Sequence, residues 1–389
     1  MRPIYLDNAA TTPIRPEVLA AMEPFVSGSS FGNPSSAHRF GREARAAVHE
    51  ARRKIAAALG VEPGQVYFVS GGTEGNNLAV LGGALAARAA GRPFRVAVAA
   101  TEHKAGLGAA HAVDTLGGES VTLPVDRRGQ LEGEALDAAL ERGIAVVSVM
   151  WVNNEVGIVQ DVKAIAARCA AADTLFHTDA VQAVGKVPVS VAEVNCAMLT
   201  LSGHKLGAPK GIGAVVIRDR TAVLPLVHGG GQQGGLRPGT ENVAGAVGLG
   251  RAVELAVGEL EEFRARTCAL RQRFEQGLLE AIPDADVTAA EAPRAPHVSN
   301  VTIPGTDSEA MLMHLDLAGI ACSAGSACST GSVEPSHVLT ALKIPFDRAI
   351  AALRFSFGRN TTPEDVAYAV QHLPAIVEKV RSLAGVLRR

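Results

Sequence analysis

Between residues 40 and 220 short runs of Val, Ile and Leu alternate with helical patterns, and few folds accept that alternation. Arg42 to Leu59 carries a helical pattern closed by Gly60, Gln65–Ser70 reads as a strand, and Thr73–Ala90 as an Ala/Leu-rich helix. Further strands are expected at Arg95–Ala100, Ile144–Val152, Thr174–Thr178, Ala197–Ser202 and Gly213–Ile217. Strands that are apolar throughout, rather than on alternate residues, are covered on both faces, so the pattern predicts a mostly parallel sheet with helices on each side. The fold class is α/β. After the Gly-rich stretch 229–239 one long helical segment is expected from Glu241 to Glu280. A strand near His297–Ile303, a helix at Ser308–Leu317, a Gly/Ser segment and a strand at Leu353–Phe357 follow. This change of rhythm predicts a second, smaller α+β domain starting near residue 260.

Composition excludes several functions. The chain has 389 residues, with 37 Lys+Arg against 39 Asp+Glu, a net charge of −2 and only 4% aromatic residues. Nucleic-acid binding needs a basic face and, for single strands, stacking aromatics, and neither is expected here. The N-terminus, Met-Arg-Pro-Ile-Tyr-Leu-Asp, has no charged-then-apolar signal pattern. No apolar run approaches the ~18 residues of a membrane span, so no membrane association is expected. Five cysteines (169, 196, 268, 322 and 328) form no paired framework. A reducing compartment, and hence a cytoplasmic enzyme, is the expectation.

In open parallel sheets ligands bind outside the carboxyl ends of the strands. The first strand ends at Gly71-Gly72-Thr73, where a helix begins, and others lead into Thr101-Glu102-His103-Lys104 and Asn153-Asn154-Glu155. The remaining two lead into Asp179 with Gln182 three residues on, and into Ser202-Gly203-His204-Lys205. Singly, each is an ordinary place where a chain meets water. Together they describe one polar cleft. Backbone N–H groups at a helix start suit a phosphate, yet neither G-x-x-x-x-G-K-[ST] nor G-x-G-x-x-G occurs after a strand. A strand-end Lys205 suits a Schiff-base amine, and Asp179 suits pairing with a protonated pyridine nitrogen. Phosphate turn, Asp and Lys are the protein's half of pyridoxal phosphate chemistry. The alternatives are a surface lysine and a helix cap. His103 suits proton transfer at neutral pH or is a satisfied strand-end histidine. No C-x-x-C or H-E-x-x-H spacing exists, so no metal is expected.

Cys322-Ser-Ala-Gly-Ser-Ala-Cys328 places two cysteines among small residues. Cys328, in the Gly/Ser stretch, suits a nucleophile that must reach a substrate, or is a buried small residue. Arg354 is either a bidentate carboxylate clamp or a structural salt bridge.

In order along the chain stand YLDNAATTP, FGNPSSAHRFG, SGGTEGNN, TEHK, VNNEVGIVQ, HTDAVQAVGK, SGHKLGAPKGIG, RPGTEN, SAGSACSTGSVEPSHVL and RFSFGR. The sequence resembles the cysteine desulfurases, the NifS/IscS-like members of the class V aminotransferase family with PLP fold type I. The resemblance implies a large PLP-binding domain over 15–258 with a seven-stranded-type sheet. It implies a small domain of 1–14 and 259–389 that carries a mobile Cys loop at about 322–333. It makes Lys205 the lysine that binds pyridoxal 5'-phosphate, Asp179 the partner of the pyridine nitrogen, and His103 the ring-stacking proton shuttle. Gln182 and Asn154 fall at the phenolic edge, with Asn154 also near the substrate carboxylate. Gly72, Thr73, Ser202 and His204 hold the phosphate, and Thr240 reaches the phosphate of a neighbouring subunit, which implies a homodimer. Arg354 clamps the substrate carboxylate, and Cys328 becomes a persulfide.

The implied reaction is L-cysteine to L-alanine, the sulfur passing to an acceptor protein, such as an iron–sulfur scaffold, or towards thiolated tRNA or cofactors. A selenocysteine lyase or another PLP β-eliminating lyase is the rival within the class. A cofactor-free thiol enzyme and a non-catalytic binding protein lie outside it. Two departures stand out: Gly231-Gln232-Gln233-Gly234-Gly235 where relatives often carry charge, and an end at Arg389 without the longer tail some relatives use for scaffold docking.

Overall fold

The computed structural model describes residues 3–324 and 334–387. Its strands are β1 (Ile4–Tyr5), β2 (Val66–Val69), β3 (Arg95–Ala99), β4 (Glu119–Leu123), β5 (Val146–Ser148), β6 (Leu175–Asp179) and β7 (Met198–Ser202). They continue with β8 (Gly213–Ile217), β9 (Asp286–Val287), β10 (Val298–Thr302), β11 (Ile320–Ala321), β12 (Ser323–Ala324) and β13 (Ala352–Ser356). Seven strands form the central sheet in the order β2-β8-β7-β6-β5-β3-β4. Only β8 runs against its neighbours, so the sheet is the mostly parallel one expected.

Side-chain alternation explains the continuous apolar runs. Val66, Phe68, Ala97, Ala99, Leu199, Leu201, Ala214 and Val216 bury one face with the helices Pro16–Val26, Arg39–Leu59 and Val243–Gly258. Tyr67, Val69, Val96, Val98, Met198, Val215 and Ile217 bury the other against Gly72–Ala89 and Lys104–Thr115. With both faces apolar, a strand has no polar side to mark it.

A second core gathers Phe274, Phe355, Phe357, Met311 and Leu315 with Ile4 and Leu6 from the N-terminal segment. It lies on an antiparallel sheet ordered β12-β13-β10-β9, covered by helices including Leu260–Ala281 and Pro363–Leu387, while β1 pairs with β11 in parallel. This is the smaller α+β portion.

Several elements differ from expectation. The segment expected as one helix from Glu241 to Glu280 is two, Val243–Gly258 and Leu260–Ala281. Gly258 weakens the helix at that point, and the Glu259 carboxylate is drawn into a 2.6 Å bond with Arg15. β5 stops at Ser148 rather than at Val152, because the Met150 N–H leaves the ladder to bond the Glu102 carboxylate. The edge strand β4 went unanticipated because its sequence, ESVTL, mixes polar and apolar residues on an only partly buried edge.

The sheet closes tightly under the first strand-end turn. A Cβ at Gly213 would stand 2.7 Å from the Leu201 carbonyl oxygen and 2.8 Å from the Gly71 Cα, and backbone atoms cannot swing aside. Gly213→Ala is expected to cost about 1–3 kcal/mol through overpacking. Thermal unfolding at the wild-type temperature would contradict this.

Candidate active site

Ten of the twelve residues singled out from sequence line one open cavity of about 350 Å³. They are Gly72, Thr73, His103, Asn154, Asp179, Gln182, Ser202, His204, Lys205 and Arg354, joined by Ala9, Ala10, Met150 and Val181. Thr240 lies elsewhere, exposed at the surface. Cys328 lies outside the described residues. The cavity sits at the carboxyl ends of β3, β5, β6 and β7, with the Gly71–Thr73 turn after β2 beside them.

Asp179 ends β6 almost fully buried. Its Oδ2 accepts from Asn76 Nδ2 at 2.6 Å and its Oδ1 from the Val181 N–H at 2.9 Å. Asn76, one turn into the helix that Gly72 and Thr73 open, was not singled out from sequence. Its signal was a polar residue on the sheet-facing side of an Ala/Leu-rich helix. The helix start is bare of bulk: a Cβ at Gly72 would lie 3.0 Å from Val181 Cγ2 and 3.8 Å from Ser202 Cβ.

His103 caps the helix Lys104–Thr115, its Nδ1 accepting from the Ala105 N–H at 3.1 Å. In the neutral ring the proton therefore sits on Nε2. Burial lowers the pKa, partly opposed by Asp179. Burial likewise pushes His204 down to about 4, helped by Lys205, Lys210 and Lys186, so the ring is neutral at pH 7. His204 Nδ1 lies 3.2 Å from Thr11 Oγ1.

Lys205 Nζ donates to the carbonyl oxygens of Ala9 (2.7 Å) and Ala10 (2.6 Å), so the YLDNAATTP segment forms the wall opposite the sheet. Gln182 Nε2 donates to the same Ala9 oxygen at 2.8 Å. Arg354, on β13, pairs with Asp7 Oδ1 at 2.7 Å and donates to the Asn154 carbonyl at 2.9 Å; its Nε is buried without a partner. The guanidinium is thus held at the cavity with donor capacity unused.

Behind the cavity runs a buried polar chain that sequence reading missed. Glu102 is wholly buried and has no cation partner among the described residues; burial, with the charge of Asp179 added, holds its carboxyl well above the usual range. Ser148 Oγ lies 3.4 Å from Glu102 Oε2 and 2.9 Å from His177 Nδ1, and His177 Nε2 lies 3.0 Å from Thr200 Oγ1. Burial pushes His177 down to about 3, leaving it neutral. Among the described residues no cluster of His, Cys, Asp and Glu has the makings of a metal site, and no helix is long and apolar enough to cross a membrane.

Burial, then the positive charge of Arg354, lowers the Lys205 pKa to about 8, with Asp7 and Asp179 opposing. Its free amine therefore dominates above pH 8, where ordinary lysines, with pKa about 10.4, remain charged. Competitive acylation followed by peptide mapping should give Lys205 a midpoint near 8, and Arg354→Met should move it upward. A midpoint in the ordinary lysine range, or a downward move, would contradict this electrostatic account.

The aminotransferase class-V family profile matches residues 4–368. The cysteine desulfurase IscS of Dictyoglomus turgidum is 43% identical over 383 residues, covering 98% of this chain and 96% of its own. A solved NifS-like protein superposes with a TM-score of 0.90 at 33% identity, covering 97% of this chain and 100% of that one. SspA, solved in complex with cysteine, superposes with a TM-score of 0.79 at 33% identity, covering 91% and 98%. With its fold and nearly its whole length shared with these proteins, the chain belongs to the class-V aminotransferase family and, within it, to the cysteine desulfurases.

Proposed function

We propose that the chain binds pyridoxal 5'-phosphate in this cavity, takes sulfur from L-cysteine onto Cys328 and releases L-alanine. The observation that carries the reading is one cavity lined by Lys205, Asp179, His103, Arg354 and the Gly72–Thr73 helix start. The donor set fits the cofactor. Backbone N–H groups at the start of an 18-residue helix, with Thr73, Ser202 and His204, suit its phosphate. Asp179, whose oxygens accept from Asn76 and the Val181 N–H and are so held in place, suits the pyridinium N–H. Gln182 and Asn154 suit the phenolic edge, and SspA in its complex with cysteine supports cysteine as substrate. Residues 15–258 are the proposed cofactor-binding domain, and 1–14 with 259–389 the smaller one.

When bound, pyridoxal phosphate supplies an electron sink for negative charge developing at the substrate Cα. Lys205, with its pKa lowered to about 8, offers far more free amine than an ordinary lysine to hold the cofactor, and then takes the Cα proton. Arg354 turns its unused N–H groups to the substrate carboxylate, and Asp7 and the Asn154 carbonyl fix its plane. His103, tied at Nδ1, presents Nε2 to move protons at the substrate. The Cys328 thiolate attacks the substrate sulfur. An S–S bond forms as the Cβ–S bond breaks, the carbon fragment takes up a proton and leaves as L-alanine, and the persulfide sulfur passes to an acceptor protein such as an iron–sulfur scaffold. Thr240, exposed on its own subunit, is the proposed contact to the cofactor phosphate of a second copy in a cytoplasmic homodimer.

The two cysteines of this region separate the reading. Cys322 packs against the second core, and burial raises its thiol pKa, so it is no thiolate near pH 7. Cys328→Ala should keep the absorbance change on adding cysteine while alanine formation falls by more than about a hundredfold. Cys322→Ala should keep activity within about twofold and cost roughly 1 kcal/mol of stability. Mass spectrometry should find the added sulfur on the Cys328 peptide; sulfur on Cys322, or wild-type turnover in Cys328→Ala, would sink the assignment. Sedimentation should show a dimer, and a stable monomer with a full complement of cofactor would refute the shared site.

A further inference from the structure

A second cavity, of about 230 Å³, opens behind the wall formed by the N-terminal segment and shares only Lys205 with the catalytic cavity. Its lining is largely apolar, with Ile14, Ala256 and Phe263 among the side chains. Among the polar side chains that also line it, three are more than nine-tenths buried and short of partners. Lys186 is 4% exposed and makes a single bond, to the Lys205 carbonyl at 3.2 Å; no carboxylate pairs with it among the described residues. Arg15 is 7% exposed, and its Nε–H has no acceptor. His297 is fully buried: its Nε2 lies 3.3 Å from Gln182 Oε1, and its Nδ1 has no partner.

The roles of these groups follow from their bonds. Gln182 Nε2 is already donating to Ala9, so Gln182 Oε1 is an acceptor and His297 Nε2 must carry the hydrogen. His297 Nδ1 is therefore a lone pair in want of a donor. Burial, then the charge of Lys205, pushes the Lys186 amine down to about 7, the state of a cation whose counter-ion is missing. Glu259 borders the same cavity but faces Arg15 Nη2 at 2.6 Å and Arg359 Nε at 3.9 Å, so it does not serve Lys186. A buried donor or acceptor left unmet costs about 1–3 kcal/mol, and this cavity holds one of each beside an unpaired amine.

We propose that this cavity is a binding site for a small 2-hydroxy monocarboxylate with an apolar body. Its carboxylate meets Lys186 and the Arg15 Nε–H, its hydroxyl donates to His297 Nδ1, and its body lies against Ile14, Ala256 and Phe263. An amino acid is the poorer ligand, since its ammonium would enter a site that already holds Lys186 and Lys205 and offers no free carboxylate. Occupancy bears on the catalytic side through two bonds, Lys186 to the Lys205 carbonyl and His297 to Gln182.

Calorimetry of the purified holoenzyme with 3-phenyllactate tests the site. Binding is expected, with 3-phenylpropionate and phenylalanine each about tenfold or more weaker, as loss of one good hydrogen bond or one unmatched charge implies. Lys186→Met should weaken phenyllactate at least tenfold. His297→Phe should erase the advantage of phenyllactate over phenylpropionate. Ala256→Leu, which fills the cavity from its rim without touching a polar group, should abolish binding while leaving desulfurase activity and the circular dichroism spectrum unchanged. Should Lys186→Met fail to fold, Ala256→Leu and the ligand series decide alone. No binding at millimolar ligand, wild-type affinity in Ala256→Leu, or loss in Arg354→Lys with retention in Ala256→Leu, which would place the ligand in the catalytic cavity, each overturns the proposal.

Discussion

Burial of the central sheet on both faces is the constraint from which the site follows. Side chains of β3, β6, β7 and β8 alternate between two helix-covered cores, so neither face of the sheet is open to a ligand. The carboxyl edge is where chain direction and strand order bring loop ends together. There His103, Asn154, Asp179 and Lys205 arrive from four different strands, none closer than about twenty residues in sequence to the next. A rigid, doubly covered sheet fixes their spacing without any of them packing the core. Small residues do the rest: Gly213 lets β8 approach the Gly71 turn so closely that a methyl group has no room.

Charge in the cavity is balanced by burial as much as by pairing. Lys205 and Arg354 are both cations with one nearby pair of carboxylates, Asp7 and Asp179. Asp7 is committed to Arg354 at 2.7 Å and Asp179 to two neutral donors, which leaves the lysine as the group that yields its proton. The histidines follow the same logic, since His103 and His204 are both depressed by burial. Beneath them the Glu102–Ser148–His177–Thr200 chain satisfies polar groups of neighbouring segments with one another. Such a chain is tolerable in the interior only when its members meet each other's hydrogen-bonding needs.

What the sequence disclosed and what it hid divide along physical lines. Apolar runs betrayed the inner strands because double burial removes the polar face, and β8 coincides with its expected limits, Gly213–Ile217. The mixed edge strand β4 lacked that mark. Strand-end polar residues were legible as a set because an open parallel sheet gathers them. Asn76, Asp7 and Glu102 were not, since their importance lies in a partner distant in the chain: Asp179 for Asn76, Arg354 for Asp7, Ser148 and Met150 for Glu102. The helix break after Gly258 was partly hidden in the same way, since Glu259 is bonded to Arg15 across 244 positions.

The cavity is built where the central sheet meets the second core, and the junctions between them are made with short bonds. β12 pairs Ser323 with Arg354 and Ala324 with Leu353, so this strand lies directly beside the guanidinium that lines the cavity. On the return side Ser336 donates to Glu155 Oε2 at 2.5 Å, and His337 Nε2 lies 2.9 Å from the Glu102 carbonyl. Glu155 follows Asn154, and Glu102 precedes His103, so the return is tied to the same two strand-end turns that line the cavity. Burial raises the Glu155 pKa, and a buried carboxyl is stabilised by the hydroxyl it meets there. Both described flanks of the segment 325–333 are therefore bonded to residues beside the cavity.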